Sequence, residues 1–187
     1  MHNQISNETP SKIGNFNILA LTKDQHSTHY LSCELDYICL IPFERNSNDG
    51  LKSIFLLDSP NLMNKQNAST LIIDVVNPDL DKTPYDSVCR ALLEEAGLNL
   101  DDTGLTENSI FYLGDISMNV PMTLSMHCYG IDLTNLPNIL FTRNLSKDHF
   151  TKENSTITKV GFHQIVNGDY SDATVLSGAF LLVSYFN

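Results

Sequence analysis

The chain has 187 residues, 42% of them apolar and 18% charged, which is enough for one sizeable hydrophobic core and cramped for two. Its 22 acidic and 11 basic residues leave a net charge of −11, so no concentrated basic patch is expected, and with it no surface for bare nucleic acid or anionic lipid. A small phosphorylated ligand stays within reach, because two or three cations and a divalent metal suffice to hold one.

Met1 to Gly14 is polar, reads as a flexible arm before a single domain over 15–187, and has no signal-peptide character. Such an arm is a natural element for a protein partner or a second copy to order. Cys33, Cys39, Cys89 and Cys128 show no C-x-x-C spacing, and the last three lie in apolar runs, as reduced core thiols do. No apolar run approaches the ~20 residues that span a bilayer, so a cytoplasmic protein is expected.

Tyr37 to Phe43 is nearly all apolar, the pattern of a central strand buried on both faces, with Pro42 expected at its end. Asn46-Ser47-Asn48-Asp49-Gly50 is a turn signal, and Ile54 to Leu57 follows as the second arm of a hairpin. Asp58 to Ser69 reads as a polar connection and Leu71 to Val76 as a third strand. Beyond residue 97, Ile110 to Leu113 is a short apolar run. Met122 to Tyr129 then alternates strictly, which predicts a half-buried strand with Met122, Leu124, Met126 and Cys128 inward. His127 and Tyr129 share its other face. Asn135 to Ser155 is a long polar segment of the kind that serves a ligand or partner, and it contains Glu153. Ser171 or Asp172 caps an apolar stretch to Phe186, predicting a terminal helix packed on the sheet. His26 and His29 have no third ligand at metal spacing.

The most informative segment is Thr83 to Leu98. Thr83 as N-cap, Pro84 at the first helical position, Asp86 at the third and Gly97 just past the end delimit a helix. On a wheel of about 100° per residue, Tyr85, Val88, Cys89, Leu92 and Ala96 form the apolar arc, flanked by Ser87, Ala91, Glu94 and Glu95. Arg90 stands four residues before Glu94, so an ion pair within the helix is available, worth roughly 0.3 to 0.5 kcal/mol if exposed.

Arg90-Ala91-Leu92-Leu93-Glu94-Glu95-Ala96-Gly97-Leu98 resembles the second half of the Nudix box, G-x5-E-x7-R-E-U-x-E-E-x-G-U, where U is aliphatic. The closing Asn167 to Ala179 also looks like the start of the last helix of many Nudix domains, so the resemblance covers roughly residues 36 to 186. It implies an α/β fold of the α+β kind, an α/β/α sandwich around a mixed sheet. It also implies hydrolysis of a nucleoside diphosphate linked to another group, with Mg²⁺ or Mn²⁺ held by carboxylates. Carried over by position, Glu94 and Glu95 are the remaining metal ligands and Arg90 the residue that orients or pairs with an acid. His127, Tyr129 and Glu153 are the candidate substrate contacts.

Three positions depart from the pattern. Ala91 stands where the family has an acid, Lys82 where it has the earlier Glu, and Val76 where it has the opening Gly. A methyl binds no ion, a lysine before a helix N-terminus opposes the macrodipole, and a β-branched residue disfavours positive φ. Asp81 is one residue from Lys82 and could substitute in part. The leading reading is a Nudix-fold protein with a degenerate box and weak or no hydrolase activity, kept for nucleotide binding or assembly. The alternatives are a working pyrophosphatase acting on ADP-ribose or a nucleotide sugar, and a structural component of a larger, for example viral, particle.

Overall fold

In the computed structural model the apolar run at 37–43 becomes the spine of a mixed sheet that collects every other strand around it. Residues 11–13, 16–23, 26–33, 36–60, 67–98, 103–118, 122–136 and 156–187 are described. The strands are β1 (Ser11–Ile13), β2 (Phe16–Lys23), β3 (His26–Cys33), β4 (Tyr37–Arg45), β5 (Leu51–Pro60), β6 (Asn67–Thr70), β7 (Ile72–Val75), β8 (Ile110–Met118), β9 (Met122–Asp132) and β10 (Thr156–Gly161). The helices are α1 (Pro84–Ala96), α2 (Phe162–Val166) and α3 (Ala173–Phe186), with a 3₁₀ turn at Glu107–Ser109.

The sheet runs β1-β2-β3-β9-β4-β5-β10, with β8 on the free side of β9, and β7 and β6 pairing to β4 and β5. β4 lies parallel to β9 from Tyr37 opposite Met126 to Phe43 opposite Asp132. Along its other edge it pairs first with β7, through Leu40, and then with β5, from Phe43. Pro42 therefore sits inside the strand, which continues to Arg45, and falls where that edge changes partner. A residue with no N–H to donate is tolerated at such a break. Two further expectations are corrected nearby. The segment from Asp58 to Ser69 is not simply a connection, since β5 runs on to Pro60 and β6 folds back on it. The segment before β4 supplies three strands, and Ser11–Ile13, assigned to the arm by sequence, pairs with β2.

Period-two alternation divides the core in two. Cys39, Ile41 and Phe43 of β4, with Met126 and Cys128 of β9, face α2 and α3 in one cluster. Ile38 and Leu40, with Tyr129 and Ile131, face α1 in the other. The sandwich is thus α/β/α, as the resemblance implied. Met126 and Cys128 point inward as expected, while the side chains of Met122 and Leu124 lie outside the described residues. α3 is N-capped by Asp172, whose Oδ1 accepts from Thr174 N and Val175 N, so the second of the two proposed caps is the one used. Gly178 lets α3 settle closely on Ile41 and Leu71.

Candidate functional site

α1 begins and ends where local chemistry directs. Thr83 Oγ1 accepts from Asp86 N at 3.2 Å while the Asp86 carboxylate accepts from Thr83 N at 2.9 Å, a reciprocal cap with Pro84 fitted behind it. Gly97, at φ 68°, closes the far end, and Leu98 N reaches back to Leu92 O at 3.0 Å.

The roll of the helix about its own axis differs from the wheel. Ser87, Val88, Ala91, Leu92 and Ala96 are the buried positions, whereas Tyr85 and Cys89 are only half-buried. The small residues Ser87 and Ala91 let the helix approach the sheet, and the larger Tyr85 and Cys89 turn aside. Ala91 is accordingly a core residue with no exposed surface, rather than a flank position beside the acids. It belongs to the α1-side cluster together with Ile38, Leu40 and Leu92.

Arg90 is the centre of the polar side of the helix. Its Nε and Nη2 donate to Asp81 Oδ1 at 3.0 Å and Oδ2 at 2.8 Å, a bidentate grip. Nη1 donates to Asp74 Oδ2 at 2.5 Å and to Glu94 Oε2 at 3.2 Å, and Nη2 also donates to Val75 O at 2.7 Å. The expected pair with Glu94 exists, but Glu94 is 56% exposed, and the stronger partners are the two aspartates before the helix. Asp81, 2% exposed, additionally accepts from Asn77 N and from the hydroxyl of buried Ser87, both at 2.9 Å. The Arg90 hydrogen bonds hold its carboxyl at about 2, against the burial that would raise it. The same bonds push the Arg90 guanidinium above its ordinary range.

These contacts decide how the box could serve a cation. Asp74, Asp81 and Glu94 converge on the guanidinium, Ala91 offers a buried methyl, and among the described residues no group of three or more His, Cys, Asp and Glu could hold a metal ion. Asp81 does not replace the acid missing at Lys82, because Arg90, Ser87 and Asn77 already take its oxygens. Among the described residues the donors do not make up a set suited to the Mg²⁺ or Mn²⁺ that the resemblance implied. Val76 adopts an ordinary negative φ and donates to Asp36 O at 2.9 Å, so the loop before the helix needs no glycine at that point. Glu95 is half-buried on the helix line of Ser87 and Ala91, and Glu153 lies outside the described residues.

A second polar group lies on the α1 side of β8 and β9. Tyr112 is directly opposite Tyr129, with ring centroids 5.4 Å apart and planes inclined at 53°. Between Tyr112 and Gly114 the register shifts by one residue, with Gly114 at φ 126°. That bulge brings Asp115 onto the same face as Tyr112, opposite His127. Tyr112 Oη donates to Asp115 Oδ1 at 2.7 Å, and His127 Nδ1 meets the same oxygen at 2.7 Å. The two bonds lower the Asp115 carboxyl, and the carboxylate in turn pushes the Tyr112 phenol up to about 12. His127 and Tyr129 thus share a face as the alternation predicted. Tyr112 and Asp115 were missed, and Gly114 in an apolar run was the only signal of the bulge.

An open cleft of about 660 Å³ separates this face from the start of α1. Tyr85, Tyr112 and Tyr129 supply its aromatic walls, and Ile110, Thr83, Asp86 and Glu107 complete it. Among the described residues no Lys, Arg or His lines it.

The fold defined by these elements is the Nudix fold. The chain superposes on an ADP compounds hydrolase with a TM-score of 0.61 at 14% identity, over 95% of this chain and 90% of that one. It superposes on the NUDIX domain of Shewanella oneidensis NrtR, solved with ADP ribose, with a TM-score of 0.57 at 11% identity over 83% and 90% of the two chains. A chain of the complex between the C-terminal domain of mouse MUTYH and human PCNA gives 0.52 at 10% identity over 81% and 89%. At these identities the likeness is one of fold. No protein-family model matches the sequence, and none of the curated proteins compared with it does.

Proposed function

We propose that this chain is a ligand-binding Nudix-fold protein that does not hydrolyse diphosphates. The observation that carries the reading is the fate of the box: its neighbouring carboxylates close on Arg90, and Ala91 puts a methyl into the core where the family pattern has an acid. Metal-assisted hydrolysis needs several oxygens free to converge on a hard cation, which then polarises the phosphate and lowers the pKa of a water. Here Glu94 and Glu95 would have to do this without a third described acid. The aromatic cleft supports binding as the retained role, since a few hundred cubic ångströms lined by rings with a few polar groups is the common form of a small-molecule site. A nucleotide derivative is the ligand class suggested by the ADP-ribose-bound neighbour. Free thiols at Cys39, Cys89 and Cys128 suit a reducing compartment such as the cytoplasm, and no described helix is long and apolar enough to cross a membrane.

The test is incubation with ADP-ribose, nucleotide sugars and dinucleoside polyphosphates in Mg²⁺ or Mn²⁺. No nucleoside monophosphate is expected above the buffer rate. Turnover that disappears in Glu94→Gln or Glu95→Gln overturns the reading and restores the pyrophosphatase.

A further inference from the structure

The lining of the cleft has a sign. Among the described residues Asp86 and Glu107 are its carboxylates, three tyrosines present ring surface, and none of the lining side chains is cationic. A diphosphate would find no positive partner among the described lining residues, and the partial positive charge of the α1 N-terminus is already met by the Asp86 carboxylate, which accepts from Lys82 N and Thr83 N. What such a surface attracts is a cation soft enough to shed water against aromatic faces. The Tyr112 ring is fixed for this purpose: its hydroxyl is tied to Asp115, Asp115 is tied to His127, and the ring is left inclined to Tyr129 as two walls of a corner.

We infer that the cleft between α1 and the β8–β9 face binds an organic cation carrying an alkylated ammonium group, seated against the corner that Tyr112 and Tyr129 form and facing Asp86 and Glu107. An alkylated ammonium combines weak hydration with full charge, so the ring quadrupoles and the two carboxylates act on it together. A neutral isostere keeps the shape and loses both attractions. The cleft volume exceeds that of the headgroup alone, so the natural ligand bears further bulk. The inference rests on the binding role proposed above and assigns this cleft an organic cation in place of the nucleotide derivative suggested by the fold neighbour.

The experiment is a calorimetric titration of the full chain with choline, with its neutral analogue 3,3-dimethylbutan-1-ol, with AMP and with a short peptide bearing trimethyl-lysine, while the ring resonances of Tyr112 and Tyr129 are followed by NMR. Saturable binding of choline or the peptide, at least about tenfold tighter than the neutral analogue, with shifts at both rings, is the expected result. The tighter of the two identifies the source of the ammonium. Tyr112→Leu, at a half-exposed ring, and Glu107→Gln, at an exposed acid, should each weaken it several-fold while the thermal midpoint stays unchanged. Equal affinity for the neutral analogue, preference for AMP, or no saturation by either cation overturns the inference. ADP-ribose turnover measured on the same sample separates the two claims, because hydrolysis would defeat the non-hydrolytic reading and leave cation binding standing.

Discussion

The Arg90 guanidinium and the Asp81 carboxylate meet edge to edge, Nε on Oδ1 at 3.0 Å and Nη2 on Oδ2 at 2.8 Å, across nine residues of sequence. Through this pair the loop before α1 is fastened to the middle of the helix, and through Asp74 the end of β7 is fastened to the same group.

The pair predicts a specific acid sensitivity. The Asp81 carboxyl is lowered from 3.8 to about 2 in the folded chain, so its contribution is present above pH 4 and is lost as pH falls through 2. The size is about 2 kcal/mol. Urea unfolding at pH 6 and pH 2 should show that loss in the parent chain and a flatter profile in Asp81→Asn, which starts lower by roughly 3 kcal/mol because Arg90 is left under-paired. Parallel losses in the two proteins would contradict the assignment.

Restoring the family acid should fail. Ala91 has no exposed surface, so Ala91→Glu forces a carboxylate among Ile38, Leu40 and Leu92 and should cost about 2 to 5 kcal/mol without creating hydrolysis. Denaturation midpoints together with an ADP-ribose assay check both halves. A stable Ala91→Glu protein with metal-dependent turnover would show that the helix can roll to present position 91 to solvent.

Tyr112 should titrate late among the tyrosines. Its phenol is pushed up to about 12 by the bond to Asp115, while burial also raises Tyr129 and Tyr170, so ultraviolet titration should find a high step, after exposed phenols near 10 have ionised, to which Tyr112 contributes. In Asp115→Asn that step should move back toward 10. An unchanged high step in the variant would assign it to another ring.

Gly178 carries the close seat of α3. An added Cβ would stand 2.6 Å from Leu71 Cδ1 and 3.0 Å from Ile41 Cδ1, both fully buried side chains with little room to retreat. Gly178→Ala gains about 1 kcal/mol of helix propensity and should still lose about 1 to 2 kcal/mol overall through overpacking. Thermal unfolding gives the sign directly.

What the sequence disclosed was what short-range chemistry decides. The caps Thr83, Gly97 and Asp172, the turn at Asn46–Gly50 and the buried run of β4 each depend on a few adjacent residues, and each is present in the structure. The Nudix fold was legible from the helix motif because Arg90 and Gly97 kept their places. The roll of α1 was not legible, because a hydrophobicity wheel weighs Tyr85 and Cys89 above Ser87 and Ala91, whereas close packing on a sheet selects the small residues. The capture of Asp81 was hidden too, since a carboxylate nine residues before an arginine has no fixed spacing to it until the loop folds. Tyr112 and Asp115 stand three apart, a separation that simple alternation assigns to opposite faces.

That last point turns on one residue of slack. The bulge between Tyr112 and Gly114 acts like a frameshift in the strand: upstream of it even-numbered positions look toward α1, and downstream the odd-numbered ones do. The acid that steadies the Tyr112 ring is therefore addressed to that ring by an insertion rather than by its own identity. Flattening the bulge with every residue retained would turn Asp115 toward the opposite layer, whereas deleting the extra residue would leave it two positions from Tyr112 and on the same face.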